Sequence, residues 1–562
     1  MKRISIRTFV LCTLSLCTLS FVPLYIDAQT LNVQVGNVTY LFPASQAGVM
    51  PFSDGTTLTA MGKSFTLSEV DKMWVDETAV TDSTVTIAYN ASSAAVTVAG
   101  NIAKYVTVSL SGAHVSIAQS SDLATEITYA LSGTSANGSL TLAGSYKCTV
   151  SLAGVTLTNP SGAAINITNS KRIQLSAKSG TTNTLADCAS GSQKACIYSK
   201  GQLQLQGNGT LNVTGNTKHG IKSASYISVK NLTLNITSTV GDGINCEEYM
   251  EIKSGTLNLS GIGDDGIQCD LGGTASTGIT TDHEDEDTGN IYLSGGTVNV
   301  NCEYKGIKAA GDLEITDGDI HVVSNASASS NGNHWGGSSS TTGAPEAIEA
   351  KGAVSISGGQ IYAYSADDAI NAGGTLTISG GMVYAHSTSN DGIDSNGNCY
   401  IKGGLVYAVS ASSPEVGIDA NTEGGYKLYV QGGTIVAIGG LESGASLSQS
   451  CYSTGSSSSG GGRPGGGGWG GSSGSWSANT WYALTVGSTT FAFKTPASGG
   501  SAMVVSGAST PTLKSGVTAS GTSIFDGVGY YPATVSGGSS VTLSSYSGGN
   551  SGFGPGGGGW GW

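Results

Sequence analysis

Apolar and polar residues alternate with a period of two along most of the chain. The segment 356–363 reads Ile-Ser-Gly-Gly-Gln-Ile-Tyr-Ala, and the segments 378–385 and 401–408 repeat it closely. Alternation of this kind predicts β-strands that bury one face. The Gly-rich centre of each segment predicts a turn between two such strands.

These strands recur at a nearly constant interval. Ile follows Gly or Ala at Ile221, Ile244, Ile267, Ile307, Ile348, Ile370, Ile393 and Ile418, with intervals of 23, 23, 40, 41, 22, 23 and 25 residues. Each long interval equals one repeat plus an insertion. Short strands in one repeat cannot bury a core alone, but repeats stacked in register can. The pattern therefore predicts an all-β fold, a right-handed parallel β-helix whose repeats lie about 4.8 Å apart.

Changes in composition divide the chain into six segments. They are a signal peptide at 1–28, a β-rich N-terminal module or cap at 29–120, the parallel β-helix at 121–450, a Gly/Ser-rich linker or loop at 451–479, a small C-terminal β module at 480–550 and a Gly/Trp tail at 551–562. The first segment has a basic start and an apolar core too short to span a bilayer. We therefore expect a secreted or cell-surface protein without a transmembrane segment in the mature chain.

The composition narrows the possible partners. Glycine supplies 86 of the 562 residues, charged residues only 11%, and the formal net charge is −14. Nucleic-acid binding needs a basic stripe, so we expect no nucleic-acid partner, and the acidic balance suits divalent cations. The cysteines include no Cys-x-x-Cys pair, so a zinc cluster is not expected. Cys246 and Cys269 would be neighbours in the stack, as buried thiols, a disulfide or metal ligands.

In-register stacking converts equivalent positions into rows that run across the repeats. The expected inward row is Leu211, Leu234, Leu257, Val298, Ile320, Ile361, Val383, Val406 and Ile435. The outward row beside it contains Tyr362, Tyr384 and Tyr407, which would form an exposed aromatic strip. Aromatic rings offer flat apolar faces to sugars, so these tyrosines are the candidate substrate-binding residues. The alternative is stacking that only stiffens the repeats.

Acidic residues gather in the turn around the anchor isoleucines. The leading candidate calcium ligands are Glu349, Asp367, Asp368, Asp391 and Asp394, and a second group is Asp242, Asp264 and Asp265. Stacked carboxylates repel and raise one another's pKa. A calcium ion removes that conflict and prefers oxygen ligands. The alternative is that the acids are solvated turn residues.

One catalytic possibility is β-elimination from a uronide, which needs calcium and a basic residue. Lys305 and Lys308 follow the second acidic group by one repeat and are the candidate bases. The layout resembles calcium-dependent pectate lyases, although Gln268 stands where that pattern has an acid. The alternative is that both lysines are solvated. Motifs of polygalacturonase-like hydrolases are missing.

Several motifs together resemble a known family. They are Lys-His-Gly-Ile-Lys at 218–222, Gly-Asp-Asp-Gly-Ile-Gln at 263–268, Asp-Glu-Asp-Thr-Gly at 285–289, Pro-Glu-Ala-Ile-Glu-Ala-Lys at 345–351, Asp-Asp-Ala-Ile-Asn at 367–371 and Asn-Asp-Gly-Ile-Asp at 390–394. The chain resembles, over roughly 125–440, secreted bacterial carbohydrate-binding-domain proteins with a calcium-binding parallel β-helix of pectate-lyase-like fold. The resemblance implies binding of plant cell-wall polysaccharides, with lyase activity not generally established.

Together these observations predict a secreted, calcium-stabilised monomer that binds plant-type or acidic, pectic polysaccharide. The first alternative is a calcium-dependent pectate-type lyase. The second alternative is a structural or adhesive surface protein. The chain is thus more typical of a binding protein than of an enzyme.

Overall fold

The computed structural model describes residues 29–53, 55–272, 287–327, 344–454 and 475–548. The predicted signal peptide, the segment 455–474 of the predicted linker and the predicted Gly/Trp tail lie outside these residues. The described chain is almost entirely β-strand. No helix within it is long and apolar enough to cross a membrane.

A first compact unit comprises the described residues up to Asp82 together with Ala99–Lys104. Its described strands are Thr30–Val35, Val38–Pro43, Phe52–Ser53, Thr57–Ala60, Lys63–Thr66 and Lys72–Asp76, with one short helix at Ala44–Ala47. Apolar side chains alternate along these strands, and Phe42 and Phe65 pack edge to face with ring centroids 5.9 Å apart. This unit therefore has a core of its own.

The second unit contains all of the repeats. It begins with the antiparallel hairpin of Thr84–Asn90 and Ser93–Ala99, whose final residue Ala99 is assigned to the first unit. Its isoleucine sheet has twelve strands: Val106–Ser111, Ala113–Gln119, Gly138–Ala143, Ile165–Ile167, Ala195–Ser199, His219–Ser223, Ile244–Glu247, Ile267–Asp270, Ile307–Ala309, Ile348–Ala350, Ile370–Ala372 and Ile393–Ser395. All neighbours in it are parallel except the first pair. Each strand after the second pairs with the equivalent strand of the next repeat.

Two further parallel rows of strands run through the same repeats. One row contains Thr182–Asp187, Thr210–Thr214, Leu232–Thr239, Gly255–Ile262, Gln360–Ser365, Met382–Ser387, Leu405–Val409 and Thr434–Ile438. The other contains Ile173–Ala177, Leu203–Gly207, Ile227–Lys230, Tyr249–Ile252, Val354–Ile356, Leu376–Ile378, Cys399–Ile401, Leu428–Val430 and Ser446–Leu447. The long strands Ile127–Ser135, Cys148–Asn159, Asn290–Cys302 and Leu313–Ser324 contribute to both rows. An all-β fold with long parallel sheets, as predicted, is therefore confirmed.

The predicted inward row has the register that the repeat implied. Leu211 pairs with Leu234, Leu234 with Leu257, and the row continues residue by residue to Ile435. Every member is at most 1% exposed. Cys246 and Cys269 are also in register, and both are buried free thiols.

The two glycines in each Ser-Gly-Gly turn are needed for different reasons. A Cβ on Gly358 would lie 2.0 Å from the carbonyl oxygen of Thr316 in the preceding repeat, so no larger residue fits there. Gly359 has φ near 80°, a left-handed conformation that favours glycine. The same two constraints hold at the equivalent Gly-Gly pairs 380–381, 403–404 and 432–433, of which the last two follow Lys402 and Gln431 instead of Ser. Close stacking of repeats therefore accounts for much of the glycine content.

The C-terminal part of this unit contains a closed antiparallel barrel. Its strands are Trp481–Val486, Thr489–Lys494, Thr512–Ile524 and Gly529–Val541. The strands Cys451–Thr454, Met503–Ser506 and Leu543–Tyr546 lie outside the barrel, and Met503–Ser506 pairs antiparallel with Thr434–Ile438 of the last repeat. Side chains of the barrel and of the last repeats form one continuous apolar core.

Candidate functional site

Two positions in each repeat carry most of the charged side chains of the isoleucine sheet. We call these positions, two residues before and one residue after the anchor, the charged stripe. The first position is His219, Asp242, Asp265, Lys305, Glu346, Asp368 and Asp391, and the second is Lys222, Asn245, Gln268, Lys308, Glu349, Asn371, Asp394 and Asp419. Because the anchors pair in parallel and in register, the stripe runs across successive repeats.

Acidic residues occupy this turn because their carboxylates cap the backbone of the following repeat. The Oδ1 atom of Asp265 accepts a hydrogen bond from Lys305 N at 3.0 Å. The Oδ1 atom of Asp368 accepts one from Asp391 N at 3.1 Å, and Asp391 does the same for Val416 N at 2.6 Å. Such side-chain to backbone bonds favour Asp in turns. All three aspartates are buried, so the interpretation of these acids as solvated turn residues is wrong.

The first acidic cluster consists of Asp242, Asp264 and Asp265. Their carboxylate oxygens lie within 4.8 Å of one another. The Oδ2 atom of Asp242 accepts a hydrogen bond from Asn245 Nδ2 at 2.7 Å. Burial, with repulsion from the other two acids, raises the pKa of Asp242 to about 7. Burial and the Asp265 charge likewise raise the pKa of Asp264, and a bound cation would relieve this repulsion.

Two lysines of the next repeat face this cluster and the glutamates beyond it. Lys308 Nζ lies 3.0 Å from Asp265 Oδ2, and Lys305 Nζ lies 2.5 Å from Glu346 and 2.6 Å from Glu349. Burial lowers the pKa of each lysine, but the carboxylates outweigh burial and leave the pKa above its ordinary value. Both lysines are therefore charged and ion-paired rather than solvated.

Glu349, one of the predicted calcium ligands, lies between two lysines. It is ion-paired with Lys305 and with Lys351. Burial raises its pKa, but these lysines outweigh burial and the pKa is lowered. Glu346, on the other side of Lys305, has its pKa raised to about 7 by burial. The chain's own lysines thus offset the negative charge at this point of the stripe.

A cavity of about 340 Å³ opens where the first cluster meets the lysines. It is lined by Gly263, Asp264, Asp265, Tyr304, Lys305, Lys308 and Ala344. Tyr304 is half-buried, and its N–H donates to the carbonyl oxygen of Asp264 at 3.3 Å. Carboxylates, ammonium groups and an aromatic ring therefore line the same cavity. This combination suits a ligand that carries both an anionic group and an apolar ring face.

Basic residues precede the first cluster along the stripe. His219 is buried, and its Nδ1 atom accepts a hydrogen bond from Asp242 N at 3.1 Å. Burial, with the charges of Lys218, Lys222 and Lys194, lowers the pKa of His219 to about 3. His219 is therefore neutral, with Nδ1 unprotonated, and it occupies the capping position that aspartates take in later repeats.

The second acidic cluster consists of Asp391, Asp394 and Asp419. Their carboxylate oxygens also lie within 4.8 Å of one another. Burial and the charge of Asp419 raise the pKa of Asp391 to about 8, and burial raises that of Asp419 to about 6. Glu442, one repeat further, has its pKa raised to about 8 by burial and by Asp419. Among the described residues none of these acids is ion-paired with a lysine or arginine.

Two more predicted ligands border the second cluster. Asp368 is buried, and burial with the charge of Asp394 raises its pKa well above the ordinary value. Its Oδ2 atom accepts a hydrogen bond from Asn371 Nδ2 at 2.8 Å. Asp367 is half-buried and accepts a hydrogen bond from Asn390 Nδ2 at 2.7 Å. The predicted acids of this region therefore do lie together, with Asp419 and Glu442 as members that the sequence argument left out.

The predicted aromatic strip is stacked but not exposed. Ring centroids of Tyr362 and Tyr384 are 5.1 Å apart, and those of Tyr384 and Tyr407 are 5.0 Å apart. However, Tyr384 is 3% exposed and Tyr407 is fully buried, because Phe525 stacks on the former and Phe493 packs on the latter. The expectation of an exposed sugar-binding strip is wrong, since the C-terminal barrel covers it.

Tyr304 is the aromatic side chain that sequence reasoning missed. It lies three residues before its anchor, at the position of Asp264 in the preceding repeat. A search for aromatic residues in the acidic turn, rather than along the outward strand positions, would have identified it. Asp419 could likewise have been identified from the repeat, because it follows its anchor isoleucine directly, as Asp394 does.

A comparison with protein-family models concerns the same part of the chain. A family model described as carbohydrate-binding domain-containing protein matches residues 111–392, which include the first cluster, both lysines and, of the second cluster, Asp391 alone. A curated protein with that description from Acetivibrio thermocellus is 27% identical over 92 residues, 15% of this chain and 32% of the relative. The chain thus spans about a third of the length of this relative.

One solved structure is also similar, a gadolinium derivative of the polysaccharide lyase-like protein from C. thermocellum. It is 20% identical with a TM-score of 0.36, and the similarity covers 43% of this chain and 92% of that one. The family match covers half of the chain and contains the cavity described above. The chain belongs to the family of carbohydrate-binding domain-containing proteins.

Proposed function

We propose that the protein binds an acidic polysaccharide of the pectic type, with a calcium ion at the first acidic cluster as the bridge. The cavity beside that cluster carries the proposal. It brings Asp264 and Asp265 together with Lys305 and Lys308. A cation site next to ammonium groups favours a ligand with carboxylates, because both would attract it.

The donors of the first cluster fit a hard divalent cation. All three residues offer carboxylate oxygens, the ligand type that calcium prefers. Asp264 is the most accessible of them, because it is half-buried whereas Asp242 and Asp265 are buried. Calcium bound here supplies positive charge that attracts a uronate carboxylate.

The other cavity residues have complementary roles. Lys308 Nζ is 28% exposed as a side chain and is free to turn its remaining N–H groups toward a carboxylate. Tyr304 offers an apolar ring face for a pyranose. Lys305 is held by two glutamates and positions the wall of the cavity rather than the ligand. Membership of a carbohydrate-binding family supports this assignment of roles.

Binding of polygalacturonate measured by calorimetry, with calcium and with a chelator, tests the proposal. We expect binding that requires calcium and that weakens about tenfold or more in Asp264→Asn, because a charged cation ligand is lost. Asp122→Asn removes the same charge from an exposed site away from the cavity and serves as the matched control. Equal affinity with and without calcium, or no binding to any acidic glycan, would overturn the proposal.

Calcium-dependent lyase activity is the second candidate, favoured by two lysines beside the acidic cluster. A lysine base must lose its proton, whereas ion pairing raises the pKa of both Lys305 and Lys308. Binding therefore ranks first. Incubation with polygalacturonate and calcium, followed by ultraviolet absorbance, checks this order, and an unsaturated product would reverse it.

We propose a structural calcium ion at the second acidic cluster. Its acids have no lysine partners among the described residues, unlike Glu346 and Glu349. Bound-metal content after dialysis against calcium is the direct measurement, and the protein should retain calcium at this cluster when Asp264 is replaced. Loss of all bound calcium in Asp264→Asn would argue against a second ion.

The finer features of the sequence-based prediction are proposals of the same kind. We propose that the parallel rows wind as a right-handed β-helix, which pairing between consecutive repeats supports. We propose also that the chain is exported after removal of its signal peptide and acts as a monomer outside the cell. An experimental structure, N-terminal sequencing and light scattering are the respective tests.

A further inference from the structure

A second row of side chains lies outside the charged stripe, three residues before each anchor. Ile197 pairs in parallel with Ile221 and is therefore the anchor of the preceding repeat. The row contains Lys194, Lys218, Gly241, Asp264 and Tyr304 in successive repeats. Backbone hydrogen bonds hold these repeats in register: His219 N donates to Lys194 O at 3.0 Å, and Gly241 N donates to Lys218 O at 2.6 Å. The two lysines therefore stand on adjacent repeats, on the same row as two residues that line the cavity.

Gly241, the residue that follows Lys218 in the row, leaves space for the Lys218 side chain to extend toward the next repeat. A Cβ on Gly241 would be 3.1 Å from Lys218 Cγ and 3.0 Å from His219 Nδ1. The stem of Lys218 thus lies against the bare backbone of the next repeat, on the side where Asp264 follows. Its charge acts on both His219 and Asp264.

Both lysines are exposed, and neither forms an ion pair within the described part of the chain. Like charges on neighbouring repeats repel each other. The chain contains 24 Lys and Arg residues and 38 Asp and Glu residues. Acidic side chains are thus in excess, yet none is paired with these two lysines among the described residues. An unpaired basic pair beside an acidic site is explained if an anionic ligand supplies the missing charge.

We propose that Lys194 and Lys218 form an anionic subsite that binds further carboxylates of the same acidic polysaccharide. At the spacing of parallel strands, Lys218 is about 10 Å and Lys194 about 14 Å from Asp264 along the row. A single uronate at the first cluster covers about one repeat, whereas an oligosaccharide that runs across the repeats spans all of these positions. This proposal rests on the proposed function. It adds that the bound polysaccharide runs across the repeats and that the protein prefers several charged sugars in succession.

Calorimetry with galacturonate monomer and hexamer in calcium tests the subsite. We expect Lys194→Gln and Lys218→Gln each to weaken hexamer binding roughly two- to fivefold, the size of an exposed ion pair, and to leave monomer binding unchanged. Lys218→Arg keeps the charge and should retain most of the affinity. Lys514→Gln removes an exposed lysine of the C-terminal barrel and is the matched control. Added salt should reduce the difference between parent and variants.

The outcomes separate this subsite from the proposed function. Hexamer affinity that is equal in the parent and in the variant that combines Lys194→Gln with Lys218→Gln, with calcium-dependent binding intact, overturns the subsite alone. An equal loss in Lys514→Gln also overturns it, because a general charge effect then suffices. Absence of calcium-dependent binding in the parent overturns both proposals.

Discussion

The aromatic row and the charged stripe have the same origin in the repeat but different surroundings. Tyr384 and Tyr407 lie on outward positions, yet the C-terminal barrel buries them. Asp264 lies in a turn and Lys308 in the short strand Ile307–Ala309 of the next repeat, and a cavity opens beside them. A repeat pattern predicts which side chains point out of the stack, but other segments of the chain decide which of them meet solvent. Four predictions test this contrast.

The largest expected effect concerns the aromatic row. Tyr407→Ala should lower the free energy of unfolding by about 3–5 kcal/mol, because it leaves a cavity under Phe491 and Phe493. Urea denaturation followed by circular dichroism measures this. Tyr429→Ala, a half-buried tyrosine stacked on Tyr400 at 4.8 Å, is the control and should cost about 0.5–1.5 kcal/mol. A stable Tyr407→Ala variant that loses glycan binding would restore the exposed-strip interpretation.

Calcium should produce the next largest effect, and mainly through the second cluster. Calcium at one hundred times its Kd should stabilise the protein by about 2.7 kcal/mol for one site. Asp419→Asn should remove much of this gain, since no lysine offsets the charge of Asp391 and Asp394 among the described residues. Thermal melting with calcium and with chelator is the measurement.

The comparison variants make the calcium prediction specific. Asp122→Asn should leave the calcium effect unchanged because it is exposed and outside both clusters. Without calcium, Asp419→Asn should be at least as stable as the parent, because one source of repulsion is gone. A calcium response that is the same in parent and Asp419→Asn would contradict a site at the second cluster.

The pH dependence without calcium should reveal the same unpaired acids. The pKa of Asp391 and of Glu442 is raised to about 8 in the fold. The folded chain then holds protons that the unfolded chain has lost, so stability should fall as the pH rises from about 4 to about 8. The slope is at most about 1.4 kcal/mol per pH unit for each proton.

Chemical denaturation at a series of pH values, with chelator, measures this slope. Calcium competes with those protons, so its presence should flatten the curve. The variant Asp419→Asn should also show a shallower slope, because Asp419 raises the pKa of both neighbours. Stability that rises over this interval in chelator would show that the cluster is stabilised as carboxylates without any cation.

The smallest expected change in stability belongs to Lys308. Lys308→Gln should alter the free energy of unfolding by no more than about 1 kcal/mol, because its pair with Asp265 is partly exposed. The affinity for polygalacturonate should nevertheless fall several-fold, since an ammonium group leaves the cavity. Calorimetry and urea denaturation on the same variant separate the two effects. A large loss of stability with unchanged affinity would assign Lys308 a purely structural role.

Much of the fold could be predicted from the repeat. The register from Leu211 to Ile435 follows from the spacing of apolar residues, and the Ser-Gly-Gly turns follow from backbone constraints at positions such as Gly358 and Gly359. Both features depend only on contacts between one repeat and the next repeat along the chain. The grouping of Asp242, Asp264 and Asp265 was predicted for the same reason, since stacking brings equivalent turns together.

The parts that could not be predicted depend on segments distant in sequence. Phe525 belongs to the C-terminal barrel and covers Tyr384. The barrel sequence does not share the repeat of the parallel strands, so the period gives no indication that the two residues meet. The pairing of Glu349 with Lys305 depends on contacts across the 41-residue interval from Ile307 to Ile348, which includes an insertion. Acidic residues at equivalent positions of the repeat suggested that all of them bind calcium. In the structure, the acids next to lysines form ion pairs, and the others lie together without a lysine partner among the described residues.

The sequence by itself determined the strands, their parallel stacking and the charged stripe, because each follows from a period that repeats along the chain. The tertiary structure alone decided that the tyrosines are core and that the cavity lies at Tyr304, Lys305 and Lys308. The physical reason is that burial and ion pairing depend on what packs against a side chain from elsewhere in the molecule. A periodic pattern specifies the direction of a side chain but not its neighbour.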